Sequence, residues 1–121
     1  MKSKFRVKWS NSAERDLVRI VEHISRDSVQ AAKKILQKLH HEAEKLTIFP
    51  ERGRIVPEFE RQNLFIFREL VVSPWRIIYS FSEESVHLLA VIDSRQNFED
   101  ILLRKISCEK HNHLRRFSIH N

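Results

Sequence analysis

The chain has 121 residues, enough for one domain with a substantial core, and its 41% hydrophobic and 31% charged content excludes a disordered polyelectrolyte. The one cysteine, Cys108, excludes an internal disulfide, and no Cys/His set has the spacing of a structural zinc site. A net charge of +6 favours an acidic partner, either nucleic acid or an acidic protein.

The N-terminus, MKSKFRVKWS, is charged and has no apolar run behind it, so no secretory signal is read there. No stretch approaches the roughly 20 apolar residues of a membrane span. A cytoplasmic protein that needs no membrane, metal or cofactor is the expectation.

Phe5, Val7 and Trp9 alternate with Arg6 and Lys8, the pattern of a half-buried strand. Asn11 is read as the N-cap of a first helix, with Glu14 three residues on as in a capping box. Ala13, Leu17, Ile20, Val21 and Ile24 form its apolar stripe, and the helix should end near Ser25-Arg26. Asp27 or Ser28 can cap a second helix. Along it Val29, Ala32, Leu36, Leu39, Ala43 and Leu46 recur at helical spacing. So short a connection implies an antiparallel helical hairpin. His40 and His41 are adjacent on this helix, point in different directions, and are read as surface or edge residues.

The segment FPERGRIVP, residues 49–57, breaks the helix, and Gly53 between two arginines suggests a bend that a side chain would hinder. Residues 58–63 are polar and read as an exposed connector. Strands are expected at about 64–72, 75–81 and 86–93, with a bend at Ser73-Pro74 and a turn at 82–85. In the last strand Val86, Leu88, Ala90 and Ile92 would face one way and His87, Leu89, Val91 and Asp93 the other. Both sets contain apolar residues, which makes this strand central. Asn97 can cap a short helix over 98–106 with Phe98, Ile101 and Leu102 inward. Residues 1–106 are read as a single domain and 107–121 as a basic, mobile tail.

Several features in this order carry a resemblance. They are Ser10, Ala13, Asp16 and Leu17 at the first helix, Ala31-Ala32 early in the second, and Leu46 before Pro50. Gly53-Arg54, Arg68-Glu69-Leu70 and Pro74-Trp75-Arg76-Ile77-Ile78-Tyr79 follow, and then Asp93-Ser94-Arg95 ahead of Phe98, Ile101 and Leu102. Over about residues 5 to 106 the chain resembles the RelE/ParE toxins of bacterial type II toxin–antitoxin systems. The resemblance implies an α+β fold: an N-terminal strand, an antiparallel helical hairpin packed on a mainly antiparallel sheet of about four strands, and a short C-terminal helix. It also implies a growth-arresting toxin held in a hetero-oligomer with a cognate antitoxin, an acidic segment of which folds on binding. The contact surface expected for it is the exposed side of the 29–46 helix and the sheet face that carries Arg76.

Some members of that family cut messenger RNA on the ribosome and others poison DNA gyrase. Cutting RNA by 2′-hydroxyl attack needs a base, an acid and cations around the phosphate. The catalytic candidates, if the chain is a nuclease, are Arg54, Arg68, Arg76 and Arg95. Each has a plainer role open to it: Arg68 and Arg76 can form ion pairs across strands. Against the nuclease pattern, Phe98 stands where a polar group is implied, Asp93 where many relatives have histidine, and Val71 where the messenger-RNA cutters have arginine. No tyrosine follows Tyr79, and His87 reads as a packed edge residue. The balance favours a ParE-like gyrase inhibitor over a RelE-like ribosome-dependent endoribonuclease or an inactive basic nucleic-acid-binding relative.

Overall fold

A computed structural model describes residues 4–95. Strand β1 (Arg6–Trp9) leads into helices α1 (Asn11–Ser25) and α2 (Val29–Glu44). Two short 3-10 turns, Lys45–Thr47 and Pro50–Arg52, then bring the chain to strand β2 (Arg54–Ile55) and the one-turn helix α3 (Pro57–Glu60). Strands β3 (Arg68–Val72), β4 (Trp75–Phe81) and β5 (Ser85–Asp93) complete one five-stranded sheet of order β1-β5-β4-β3-β2. The first strand lies parallel to β5, and every other pairing is antiparallel. The sheet has one strand more than expected because the two residues of β2 pair with Arg68 and Glu69.

Side-chain caps start both long helices. The cap of α1 is Ser10 and not Asn11: its hydroxyl accepts the Ala13 N–H at 3.0 Å. Ser10 is held in extended conformation because its own N–H still donates to Leu88 at 2.9 Å, so the helix begins one residue later. Ser28 caps α2 through the Ala31 N–H at 3.0 Å. The apolar seam of α2 is buried at Ala32, Leu39, Ala43 and Leu46, whereas Val29 at its start is exposed.

The helices cover one face of the sheet. Ala13 and Leu17 of α1, with Leu39 and Ala43 of α2, pack on Leu70, Val72, Ile77, Tyr79, Val86, Leu88 and Val91. A smaller cluster fills the opposite face, where Ile78, Ala90 and Ile92 meet Val56, Phe59 and Phe67. Strict alternation along β5 therefore fails. Ile78 pairs with Ala90 but Tyr79 pairs with Leu88, so Leu89 is an extra residue in the ladder. The bulge moves Val91 onto the helix-facing side, and Ala90 and Ile92 onto the other. The Asp16 carboxylate, almost fully buried on α1, accepts the Val91 N–H at 2.9 Å just beyond this bulge.

Residues 58–63 are not a free connector. Glu58 and Phe59 lie in α3, the Phe59 and Phe67 rings approach to 4.8 Å, and the Val56 N–H donates to the Phe67 carbonyl. That reversal occupies the chain up to residue 67, so β3 begins at Arg68 and not at 64. The helix expected over 98–106 and the tail at 107–121 lie outside the described residues.

Candidate functional site

The segment 50–55 is locked to the sheet from beneath. The Tyr79 hydroxyl, fully buried, donates to the Pro50 carbonyl at 2.6 Å and accepts the Gly53 N–H at 2.8 Å. Burial pushes the Tyr79 phenol above its ordinary value, so it stays a neutral donor. Gly53 has φ −79°, open to any residue, so its need is for space and not for conformational freedom. A Cβ there would run into the Glu69 carbonyl and come within 2.6 Å of the Tyr79 hydroxyl. Arg68 adds a further tie, donating to the carbonyls of Gly53 at 2.7 Å and Glu51 at 3.3 Å, with its guanidinium 5.9 Å from the Phe81 ring centroid.

Arg54 and Arg76 meet on the opposite face through Glu69, whose side chain is fully buried. Cross-strand register places Arg54 directly opposite Glu69, and Val71 opposite Arg76. Arg54 Nε donates to Glu69 Oε2 at 2.6 Å and Arg76 Nε to Glu69 Oε1. The far end of Arg76 forks onto Glu58 of α3 at 2.8 and 3.0 Å. Two guanidinium groups and two carboxylates thus form one chain with no formal net charge. Burial works against the Arg76 cation, but the hydrogen bonds to Glu58 and Glu69 outweigh it and raise its pKa. The Arg76 hydrogen bond holds the Glu58 carboxyl below its ordinary value.

The four candidate arginines are therefore not one cluster. Glu69 joins Arg54 to Arg76, Arg68 serves the turn on the helix-facing side, and Arg95 stands beyond β5. Its guanidinium is exposed and grips Asp93 at 2.6 and 2.9 Å, which depresses the Asp93 pKa and raises that of Arg95. Arg76, only 8% exposed, is not an open cation on a bare sheet face, because Glu58 and the Phe59–Phe67 pair sit against that face. Sequence reasoning missed Glu58 and Glu69 as the partners of Arg76. Glu69 could have been found from its place one residue out of step with the buried Leu70 and Val72. Glu58 had no local signal.

The apolar concavity lies elsewhere, at the β1 edge of the sheet. A hollow of about 430 Å³ is lined by Val7, Trp9, Leu17, Val18, Leu36 and Ala43, with Glu14, His40 and Glu44 at its margin. Trp9 and His40 are in ring contact, 5.3 Å between centroids, so His40 is an edge residue of this hollow. His41 and His87 are exposed. Among the described residues, no group of three or more His, Cys, Asp or Glu is placed to hold a metal ion, and no helix is long and apolar enough to cross a membrane.

Among solved structures, the chromosomal ParDE toxin–antitoxin system from P. aeruginosa matches at 18% identity with a TM-score of 0.61, over 74% of this chain and 96% of that one. The RelBE2 toxin–antitoxin complex from Mycobacterium tuberculosis matches at 20% identity with a TM-score of 0.57, over 77% of this chain and 94% of that one. At such identities these similarities bear on the fold alone, and they agree with the helices-on-sheet architecture described above. No curated protein matches the sequence. Residues 7–98 match the family described as the ParE toxin of the type II toxin–antitoxin system parDE, and over that span the chain belongs to the ParE toxin family.

Proposed function

We propose that this toxin arrests growth by binding DNA gyrase, without chemistry of its own, and that a cognate antitoxin neutralises it in a hetero-oligomer. The observation that carries this reading is the neutral chain Arg54–Glu69–Arg76–Glu58. Stabilising a cleaving phosphate needs cations aimed at developing charge. Here the two best-placed cations are already compensated by buried or half-buried carboxylates, and Arg68 is spent on backbone carbonyls. Inhibition by surface binding requires none of these groups to be free.

The antitoxin fits the hollow at the β1 edge. Its apolar walls suit a segment that folds on binding and seats alternate apolar side chains, and the chain's surplus positive charge, which lies outside a hollow margined by Glu14 and Glu44, suits acidic flanks on either side of that segment.

The test adds the full-length protein to gyrase supercoiling reactions and, in parallel, to a reconstituted translation reaction whose message ends are mapped. Inhibited supercoiling with intact message is the expected result. Cuts confined to ribosome-bound message, with supercoiling unaffected, would replace this reading with a ribosome-dependent endoribonuclease and return Arg54, Arg68, Arg76 and Arg95 to the catalytic candidates. If neither reaction changes although the protein is folded, the chain is an inactive member of the family.

A further inference from the structure

The outward side of α2 carries a feature that neither the core nor the hollow uses. Gln30, Lys33, Lys34, Gln37, Lys38 and His41 are all exposed and recur at spacings of three and one, the signature of one helical face. By helical period this face lies opposite the buried Ala32, Leu39 and Ala43. From Lys33 to His41 it extends about 12 Å at 1.5 Å per residue.

Local electrostatics does not account for this arrangement. Lys34 and Lys38 are like charges four residues apart, a spacing at which they repel and weaken the helix. Among the described residues, none of the three lysines has an acid within ion-pair distance. Glu42, four residues after Lys38, is committed to Lys45 at 2.9 Å, and that contact lowers its pKa. A face that repels itself is stabilised by an external anion that lies along it.

The composition of the face selects the kind of anion. Its one ring is the His41 imidazole at the far end of the face, and it lacks the succession of aromatic platforms on which the bases of a single strand stack. Nor does it hold an apolar anchor of the type that carries protein–protein interfaces. Lysine ammonium groups with amides between them are suited to a row of phosphates, and a duplex supplies one charge for about every 1.7 Å of its axis.

We propose that the Lys33–Lys34–Lys38 face of α2 is a docking surface for the phosphate backbone of double-stranded DNA, read without regard to sequence. It is separate from the antitoxin hollow, and it does not depend on gyrase being the target.

The experiment measures anisotropy of a labelled duplex with the full-length protein over a range of salt concentrations. It is repeated for Lys33→Gln/Lys34→Gln/Lys38→Gln and for a control that removes the same charge from exposed positions in and just before the first strand, Lys4→Gln/Arg6→Gln/Lys8→Gln. Circular dichroism verifies that both remain folded. Loss of three phosphate contacts should flatten the slope of log affinity against log salt by about 2.7 and weaken low-salt binding by about tenfold or more. The control should change affinity by less than about twofold. Equal losses in both variants would mean that binding follows net charge alone and would overturn the proposal, as would no duplex binding by the unaltered chain. Stripe-dependent binding that is tighter to single-stranded RNA or to polyglutamate than to the duplex would assign the face to another partner and equally overturn it.

Discussion

The backbone N–H of Gly53 donates to the hydroxyl of Tyr79 at 2.8 Å, across 26 residues of sequence. The same hydroxyl donates a hydrogen bond to the Pro50 carbonyl, so one side chain satisfies two backbone groups of a turn. Tyr79→Phe leaves both groups buried without a partner. The expected loss is about 1–3 kcal/mol, read as a lower urea midpoint at unchanged slope. Gly53→Ala should be at least as damaging, because the Glu69 carbonyl it would meet is backbone. A Tyr79→Phe chain as stable as the parent would mean that the turn is held by other contacts.

Removing Glu69 should be the most costly change in the arginine chain. Its side chain has no exposure, and Glu69→Ala leaves Arg76 with one of its two acids gone. Breaking a buried pair from one side costs about 3–5 kcal/mol. Arg54, whose side chain is 63% exposed, should lose less than about 1 kcal/mol on change to alanine. Thermal melts of the two variants test this order directly, and reversal of it would contradict the buried position of Glu69.

Asp16 supports the bulge in β5 rather than any surface function. Asp16→Ala strands the Val91 N–H in the core and should cost about 1–3 kcal/mol. Hydrogen exchange at Val91 should accelerate in that variant while amides in α2 keep their protection.

Acid should weaken the fold in part through Glu58. Its folded-state pKa lies below the ordinary 4.5, held down by the Arg76 hydrogen bond. A depressed carboxylate contributes stability that is present above the unfolded value and is lost as pH falls through the folded one. Urea midpoints should therefore decline once pH drops below about 4.5, and Glu58→Gln should flatten that decline while lowering stability at neutral pH. An unchanged profile would show that the Glu58–Arg76 contact does not persist in solution.

Toxicity should separate the two exposed arginines from the buried one. Arg95→Glu sets a second acid beside Asp93 at the surface, and is expected to reduce growth arrest with little change in melting temperature. Charge reversal at Arg54 would instead press a carboxylate against the buried Glu69, so Arg54→Gln is the informative change there. Growth curves at matched expression decide the matter, and full toxicity of both variants would remove these residues from the target-binding surface.

The alternation of Trp75, Ile77 and Tyr79 and the seam Ala32–Leu39–Ala43 were legible in sequence because each face buries a continuous apolar row. Register within β5 was not, since one extra residue at Leu89 inverts the pattern and nothing in the local composition marks it. The arginines were recognisable as candidates, but their partners were not. Glu69 faces Arg54 only through strand pairing, and Glu58 reaches Arg76 only because α3 folds over the sheet. Alternation with Leu70 and Val72 sets the face of Glu69, but which arginines it meets is decided by topology and leaves no trace in the chain.

The pairing of β1 with β5 has a consequence for synthesis. Arg6 is in register with Ser85, so the first strand to leave the ribosome has no neighbour until nearly the whole described chain has followed it. Such long-range closure is slow compared with forming the α1–α2 hairpin or the β3–β4–β5 meander. The hollow beside Trp9 has one wall on β1, so it does not exist on a nascent chain that lacks β5, the strand on which β1 docks. Among the described elements the hollow proposed for the antitoxin is completed last, and a ribosome that stops before Ser85 releases a product with neither a finished sheet nor that hollow.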